Sequence, residues 1–498
     1  MNDPDESIED AVGTNFQESQ FLETGESFPF DDTCSQPATM SSYDEYAANP
    51  RFLSLQEELR TVLFTGVASL APTRANSPAQ SEHGDEPDAS ASTGSSARNF
   101  DFTHLSIPKA RLIRYLQNWI DECAPYLDKF DEERHFGIHA PIIARSSPAL
   151  FYAILAFSSR QTERRNRLEK YSDSLELYQE SIRQLAPCLQ AKEPNVLVTV
   201  CILACMELMS VSPKDWRRHV DGCAALIGSL NVNGLSGGLL QAVFWCYARM
   251  DLCGALSSNG AESMVLHISK WVPTVSSFTS SREAEEDMVK DMFFQKSRLV
   301  PDMHANWAVY LCAKTCYLVS RRTRYLEFGE ADTYDSRPFH SQWTQLWGEL
   351  NFWTSHRPPA ILPIKTTGTS GSQIFPEILF THWAAISGNQ LYHTACILML
   401  EIKPQAELLQ PLMPQYSATW HARRVVGISL TNPHKGNLIN AIQPLYIAGK
   451  LFSHRSEHLA VARLFKIIDS TMGWGALWRL KDLERVWGYD PGEILSAI

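Results

Sequence analysis

Few side chains in this 498-residue sequence have the spacing that catalysis or metal binding demands. Gly234-Leu235-Ser236-Gly237-Gly238 satisfies the nucleophile-elbow pattern, in which a strained strand-to-helix turn lifts a serine above a parallel sheet. Here the residues upstream, Trp216 to Leu230, carry a helical period, so the pattern predicts a glycine-rich turn between helices. Ser236 would also need an oriented histidine to become a nucleophile. The metal motifs are missing too: there is no Cys-x-x-Cys and no His-Glu-x-x-His. Cys201 with Cys205, and Cys312 with Cys316, are four apart within apolar helical segments, which predicts packed core thiols. His135 and His139, also four apart, flank Phe136 and Gly137 in a predicted loop, and no Walker loop or dinucleotide fingerprint occurs. No catalytic, cofactor-binding or metal residue is therefore assigned.

The basic clusters are short: Arg160, Arg164, Arg165 and Arg167; Arg217 and Arg218; Arg321, Arg322 and Arg324. Each reads as a solvated helix end, where cations offset the carbonyl dipole. Trp343, Trp347, Phe352 and Trp353 form a stripe without interleaved cations, which predicts core or a groove wall and not a platform for stacked bases.

The elements that must position these groups are helical. Leu112, Ile113, Leu116, Trp119, Ile120 and Cys123 share one face, and Ser147-Pro148 opens the segment ALFYAILAF. Tyr171, Leu175, Tyr178, Ile182 and Leu185 make a stripe that ends before Pro187, and Val196 to Met209 is apolar all round. Helical periods continue in Trp216–Leu230, Leu239–Leu256, His304–Arg324, Phe339–His356, Phe375–Glu401, Leu438–Phe452 and Leu459–Asp469. Convincing period-two strands are absent, and Ser280–Lys290 and Thr366–Gln373 read as loops.

Charge is distributed unevenly. Residues 1–50 hold twelve carboxylates and no Lys or Arg, while the rest of the chain carries 44 acids against 44 bases. Phe16, Phe21, Phe28 and Phe30 stand among those acids, the composition of a disordered acidic activation segment whose aromatics a partner's groove can capture. A solvating tail without a partner has the same composition. Residues 51–70 place Leu55, Leu59, Val62 and Leu63 at helical spacing, a short amphipathic helix able to dock onto the body, and residues 71–98 form a Ser/Pro-rich linker. The chain thus divides into an N-terminal region, 1–103, and an all-α body, 104–498. The acidic N-terminus lacks a signal-peptide core, and no apolar run approaches the roughly 18 residues of a membrane span.

The string from Tyr115 to Arg164, YLQNWIDECAPYLDKFDEERHFGIHAPIIARSSPALFYAILAFSSRQTER, resembles the opening of the fungal-specific transcription factor domain of zinc binuclear cluster regulators. It is most similar to the subset typified by the acriflavine sensitivity control protein. LYQESIRQLAPCL (Leu177–Leu189), DWRRHVDGCAALI (Asp215–Ile227), QAVFWCYARMDL (Gln241–Leu252), QPLYIAGKLF (Gln443–Phe452) and GWGALWRLKDLERVWGY (Gly473–Tyr489) continue the resemblance in order. QEELRTVLF (Gln56–Phe64) resembles a piece such proteins carry ahead of this domain.

The resemblance implies an all-α regulatory domain, without catalytic residues, in nuclear proteins that control metabolic, resistance or secondary-metabolite pathways. Coactivators or transcription machinery, and a homo- or heterodimer partner of the zinc cluster type, are the implied partners. One departure stands out. Family regulators begin with six cysteines around two zinc ions and a basic helix, whereas Cys34 is the single cysteine here before Cys123. Zinc is then expected only with an upstream cluster module, and direct DNA binding is not expected of these residues. A coding start downstream of a missed exon, loss of the module with action through a DNA-bound partner, and a decoy that titrates such a partner all fit. An enzyme centred on Ser236 or on His135 and His139, and an all-α ligand sensor, are the competing classes.

Overall fold

The computed structural model describes residues 46–70, 105–166, 172–191, 193, 195–210, 216–262, 264–273, 282–368, 373–404 and 414–498. The fold is all-α. The longer helices are α1 Pro50–Leu70, α2 Lys109–Asn118, α3 Pro148–Arg165, α4 Ser172–Gln190, α5 Val196–Ser210, α6 Trp216–Ser229 and α7 Gly238–Ser257 in the first half. The second half holds α8 Arg282–Ser297, α9 Pro301–Phe328, α10 Phe339–Ser355, α11 Trp383–Glu401, α12 Ala418–Thr431, α13 Lys435–Asn440, α14 Ile442–Gly449, α15 Arg455–Met472 and α16 Leu477–Trp487.

Helix α5 lies at the centre of the first half. Every residue from Val196 to Ser210 is buried, because the segment is apolar on all sides and has no face to offer water. Helices α3, α4, α6 and α7 surround it, and α1 packs across α4 and α6. In the second half α11, likewise buried along nearly its whole length, is flanked by α9, α10, α12 and α14. The halves share one core through contacts of α7 with α9 and α14, and of α15 with α3.

The amphipathic spacing of residues 51–70 becomes α1, with Phe52, Leu55, Leu59 and Leu63 buried in that core. Its approach is close: a Cβ on Gly222 of α6 would lie 2.6 Å from Leu63 Cδ1, and one on Gly66 would lie 3.0 Å from Leu189 Cδ2. Residues 1–45 and 71–104, including the acidic segment and linker, lie outside the described residues.

Several boundaries depart from the sequence reading. Ser280–Lys290 is not a loop from Arg282 onward but the start of α8, a helix that buries little besides Phe293 and so carries charges on most sides. Arg282 pairs with Glu286 one turn on, at 3.8 Å, which supports the helix without an apolar stripe. Helix α4 continues through Pro187 to Gln190, since a proline removes one backbone hydrogen bond while buried Leu185 and Leu189 hold the last turn. The segment expected to be one helix from Leu438 to Phe452 divides at Ala441 into α13 and α14, because Pro444 cannot continue a helix entering from α13.

Phe375–Leu379 is not helical. Glu377–Leu379 pairs antiparallel with Lys365–Thr367, Ile378 opposite Thr366, and His382 caps α11 by accepting the Ala384 N–H. Pro376 favours this extended entry, and Asn432 holds it by donating to Ile378 O at 2.7 Å and accepting from Phe380 N at 3.0 Å. His135–His139 forms a π-helical turn and not a loop; Asp128 accepts from the N–H groups of Phe136 and Gly137, both at 2.8 Å. Helices α12 and α16 lie outside the segments whose period predicts a helix.

A histidine pair ties α11 to α12. His393 Nδ1 lies 2.7 Å from His421 Nδ1, and His421 Nε2 donates to Gln415 O at 3.0 Å. A neutral His421 protonated at Nε2 has Nδ1 free to accept, so His393 donates from its own Nδ1. Burial, with His421 and nearby arginines, holds His393 well below its ordinary pKa near 6.5, and burial pulls His421 down to about 4. The unfolded chain therefore takes up protons that the folded chain refuses, so this contribution to stability is present above about pH 6.5 and is lost as pH falls. His393→Asn keeps a donor for His421 but cannot titrate. The stability gap between the native chain and H393N, measured by urea unfolding, is expected to narrow as pH falls from 7 toward 5; a gap independent of pH would contradict a neutral His393.

Candidate functional site

Two places in the fold combine buried charge with shape. The first is the seat of Tyr46, just ahead of α1. Its ring lies under the Arg160 guanidinium, 3.4 Å from the ring centre, and its hydroxyl donates to Ser174 Oγ at 3.2 Å. Ser174 in turn donates its hydroxyl to Glu163 Oε2 at 2.6 Å and its N–H to Oε1 at 3.0 Å. Arg160 donates from Nε to Ser210 Oγ at 3.0 Å and lies 3.7 Å from Glu163. Tyr178 donates to Glu207 beneath this layer. Burial pushes Glu163 up to about 7, against the opposing pull of Ser174 and Arg160.

Arg160 thus corrects the reading of the first basic cluster as a solvated helix end. It is fully buried, its charge covered by Tyr46, Glu163 and Ser210. Arg164 donates to Gly473 O, Arg165 lies 3.8 Å from Glu122, and Arg167 is outside the described residues, as are the side chains of Arg217 and Arg218. Arg321 bonds Asp332, Arg322 covers the Phe339 ring, and Arg324 lies 4.0 Å from Glu330.

The second place is a cavity of about 180 Å³ walled by α8, α9, α10 and the turn at Ile268–Lys270. Its polar lining includes Arg282, Lys314, Arg321, Arg337, Tyr317 and Tyr334. The cations are held by acids: Arg337 bonds Asp335 at 2.6 Å and Glu286 at 3.1 Å, and Lys314 bonds Glu349 at 2.7 Å. Burial alone would raise Asp335, but its bonds to Arg337 outweigh that and hold it below the usual carboxylate range. Arg282 stacks 3.7 Å over the Tyr334 ring. Tyr317 O–H lies 2.7 Å from His267 Nε2, a histidine lowered by burial and by the neighbouring Arg282 and Arg321. Aromatic faces and paired charges suit a small polar or dipolar ligand, which would exchange one ion pair for another as it binds.

The sequence candidates fall elsewhere. Ser236 lies in the turn between α6 and α7, where its Oγ accepts the Asn233 N–H at 2.9 Å. Gly234 beside it is required by packing: an added Cβ would meet the Trp245 ring at 2.5 Å. His135 donates from Nδ1 to Asp131 at 2.9 Å, and its ring lies 4.7 Å from that of His139, which is exposed. Trp343, Trp347 and Trp353 are buried, with Trp343 donating to Met399 O and Trp353 to His304 O. Cys201, Cys205, Cys312 and Cys316 are buried free thiols. Phe16, Phe21, Phe28 and Phe30 lie outside the described residues. The cavity left little trace in the sequence, because its acids and bases come from α8, α9, α10 and the loop before α10.

The family model described as fungal specific transcription factor domain matches residues 114–493. The chain is similar to the transcription activator AMTR1 of Alternaria alternata, 24% identical over 359 residues, which is 59% of this chain and 44% of that protein. The match therefore spans less than half the length of that relative. No solved structure matches the chain.

Arg337 is the hub of the cavity's charge network. Arg337→Met keeps much of the side-chain volume and leaves Asp335 and Glu286 with the longer contacts to Arg282, at 3.7 and 3.8 Å, at an expected cost of about 1–2 kcal/mol in chemical denaturation. Asp335 should then titrate at higher pH in carboxyl-resolved NMR; an unmoved Asp335 would contradict the assigned pairing.

Proposed function

This chain belongs to the fungal-specific transcription factor domain family, and we propose that it is an activator whose helical body is a regulatory module for the acidic segment ahead of it. The family match over residues 114–493 carries this reading, supported by the similarity to a transcription activator. Family membership makes the chain a transcriptional regulator. The finer parts of the proposal are nuclear location, control of a metabolic, resistance or secondary-metabolite pathway, and contact with promoters through a DNA-bound zinc cluster protein. Residues 1–122 themselves carry one cysteine, Cys34, too few to ligate two zinc ions.

In the proposed mechanism Phe16, Phe21, Phe28 and Phe30 insert into a groove of a coactivator or of the transcription machinery. Each contributes about 1.5–3 kcal/mol on full burial, before the cost of ordering the segment. The twelve acids of residues 1–50 keep the segment soluble and steer it toward a basic rim. Tyr46, near the end of this stretch, is buried under Arg160. A ligand-sensing role for the body is a second reading, favoured by the cavity at Tyr317 and Tyr334. Such a ligand would act as a switch by binding one arrangement of α8, α9 and α10 better than another.

The test is a fusion of the full chain to a heterologous DNA-binding domain, read on a reporter. The fusion should activate, and F16A/F21A/F28A/F30A should abolish activation at equal protein level. Unchanged reporter output from the quadruple variant would contradict the anchor assignment.

A further inference from the structure

Helices α5 and α7 face each other with a sulfur pair at the same spacing on each. Cys201 and Cys205 are four apart on α5; Cys246 and Met250 are four apart on α7. Residues four apart share a helix face, so the two pairs converge in the core. Cys205 Sγ lies 3.8 Å from Cys246 Sγ and 3.3 Å from Met250 Sδ, and the three thiol sulfurs all lie within 4.8 Å of one another. A tetrahedral site with metal–sulfur bonds of about 2.3 Å requires sulfurs about 3.8 Å apart. We propose that Cys201, Cys205 and Cys246, completed by the Met250 thioether, bind one thiophilic d10 metal ion, Cu(I) or Zn(II).

The surrounding charge suits a thiolate cluster. Lys129 and Arg249 are both buried, and both lie close enough to act electrostatically on Cys246. Lys129 donates to Gly436 O at 3.1 Å and Arg249 to Leu127 O at 2.7 Å. Asp302 acts electrostatically on Arg249 but is itself raised by burial, and a metal–thiolate group would give both buried cations an anion. Three thiolates with Zn(II) carry one net negative charge, which Arg249 offsets. With Cu(I) they carry two, which Arg249 and Lys129 offset together, and soft thiolate and thioether ligands favour that ion. Binding releases the three thiol protons to solvent, with no redox step. Because the site is enclosed, the ion enters as the chain folds.

Cys312 and Cys316 on α9 have the same spacing, but among the described residues no third ligand joins them, so they serve as the control. The full chain is folded under anaerobic reducing conditions with zinc alone or with Cu(I) alone, dialysed against chelator, and its metal content is measured. One retained equivalent per chain is expected, lost in C201A/C246A and kept in C312A/C316A. Zinc or Cu(I), whichever is retained with that cysteine dependence, identifies the ion. No retained metal, or retention unchanged in C201A/C246A, would overturn the proposal. Should the alanine variants fail to fold, X-ray absorption of the loaded native chain decides: an all-sulfur shell supports the site, and a nitrogen or oxygen shell refutes it. M250L, which preserves volume, should lose one sulfur from that shell.

Discussion

A helix with no polar face must be covered on every side, and α5 imposes that requirement on half of the molecule. Its fifteen residues, all buried, leave α3, α4, α6 and α7 no choice but to close around it. The polar groups at its C-terminal end then need partners inside the protein: Tyr178 answers Glu207, and Arg160 answers Ser210. Arg160 brings its charge into the same layer, and Tyr46 covers it. The seat of Tyr46 is thus a consequence of burying α5.

The same constraint explains why the lead-in helix belongs to the body. Phe52, Leu55, Leu59 and Leu63 complete a surface that α4 and α6 leave open, and Gly222 lets Leu63 approach. A body built in this way holds the chain from Tyr46 through Leu70 by a packed helix. Changes in the packing of α4 or α6 would reach α1 through that contact. The cavity is walled in the other half, by α8, α9 and α10, and α9 meets α7, which borders α5. A physical route from one to the other therefore exists through packed helices.

Helical periodicity made most of the fold legible. The stripe of Tyr178, Ile182 and Leu185, the apolar run of α5, and the spacing of Leu55, Leu59 and Leu63 all became helices with the expected faces buried. Periodicity failed where something other than an apolar stripe decides. Helix α8 rests on ion pairs and one deeply buried Phe293; Pro444 and Pro376 redirect the chain within apolar runs; Pro187 does not, because Leu185 and Leu189 hold its turn. The convergence of Cys246 on Cys201 and Cys205 was invisible for another reason. Each pair is a local pattern of packed sulfurs, and only the facing of α5 and α7 makes them a cluster. Likewise Arg160 looked like a surface cation until the fold placed Tyr46 upon it. The roles proposed for Phe16, Phe21, Phe28 and Phe30 rest on composition, since these residues precede the family match over 114–493.

The central claim is that this chain acts at promoters as an activator. Chromatin immunoprecipitation of the tagged full chain, paired with transcript profiling after its deletion, tests it most directly. The account predicts enrichment at a set of promoters whose transcripts fall when the chain is removed. Absence of the chain from chromatin, together with unchanged transcripts, would contradict it.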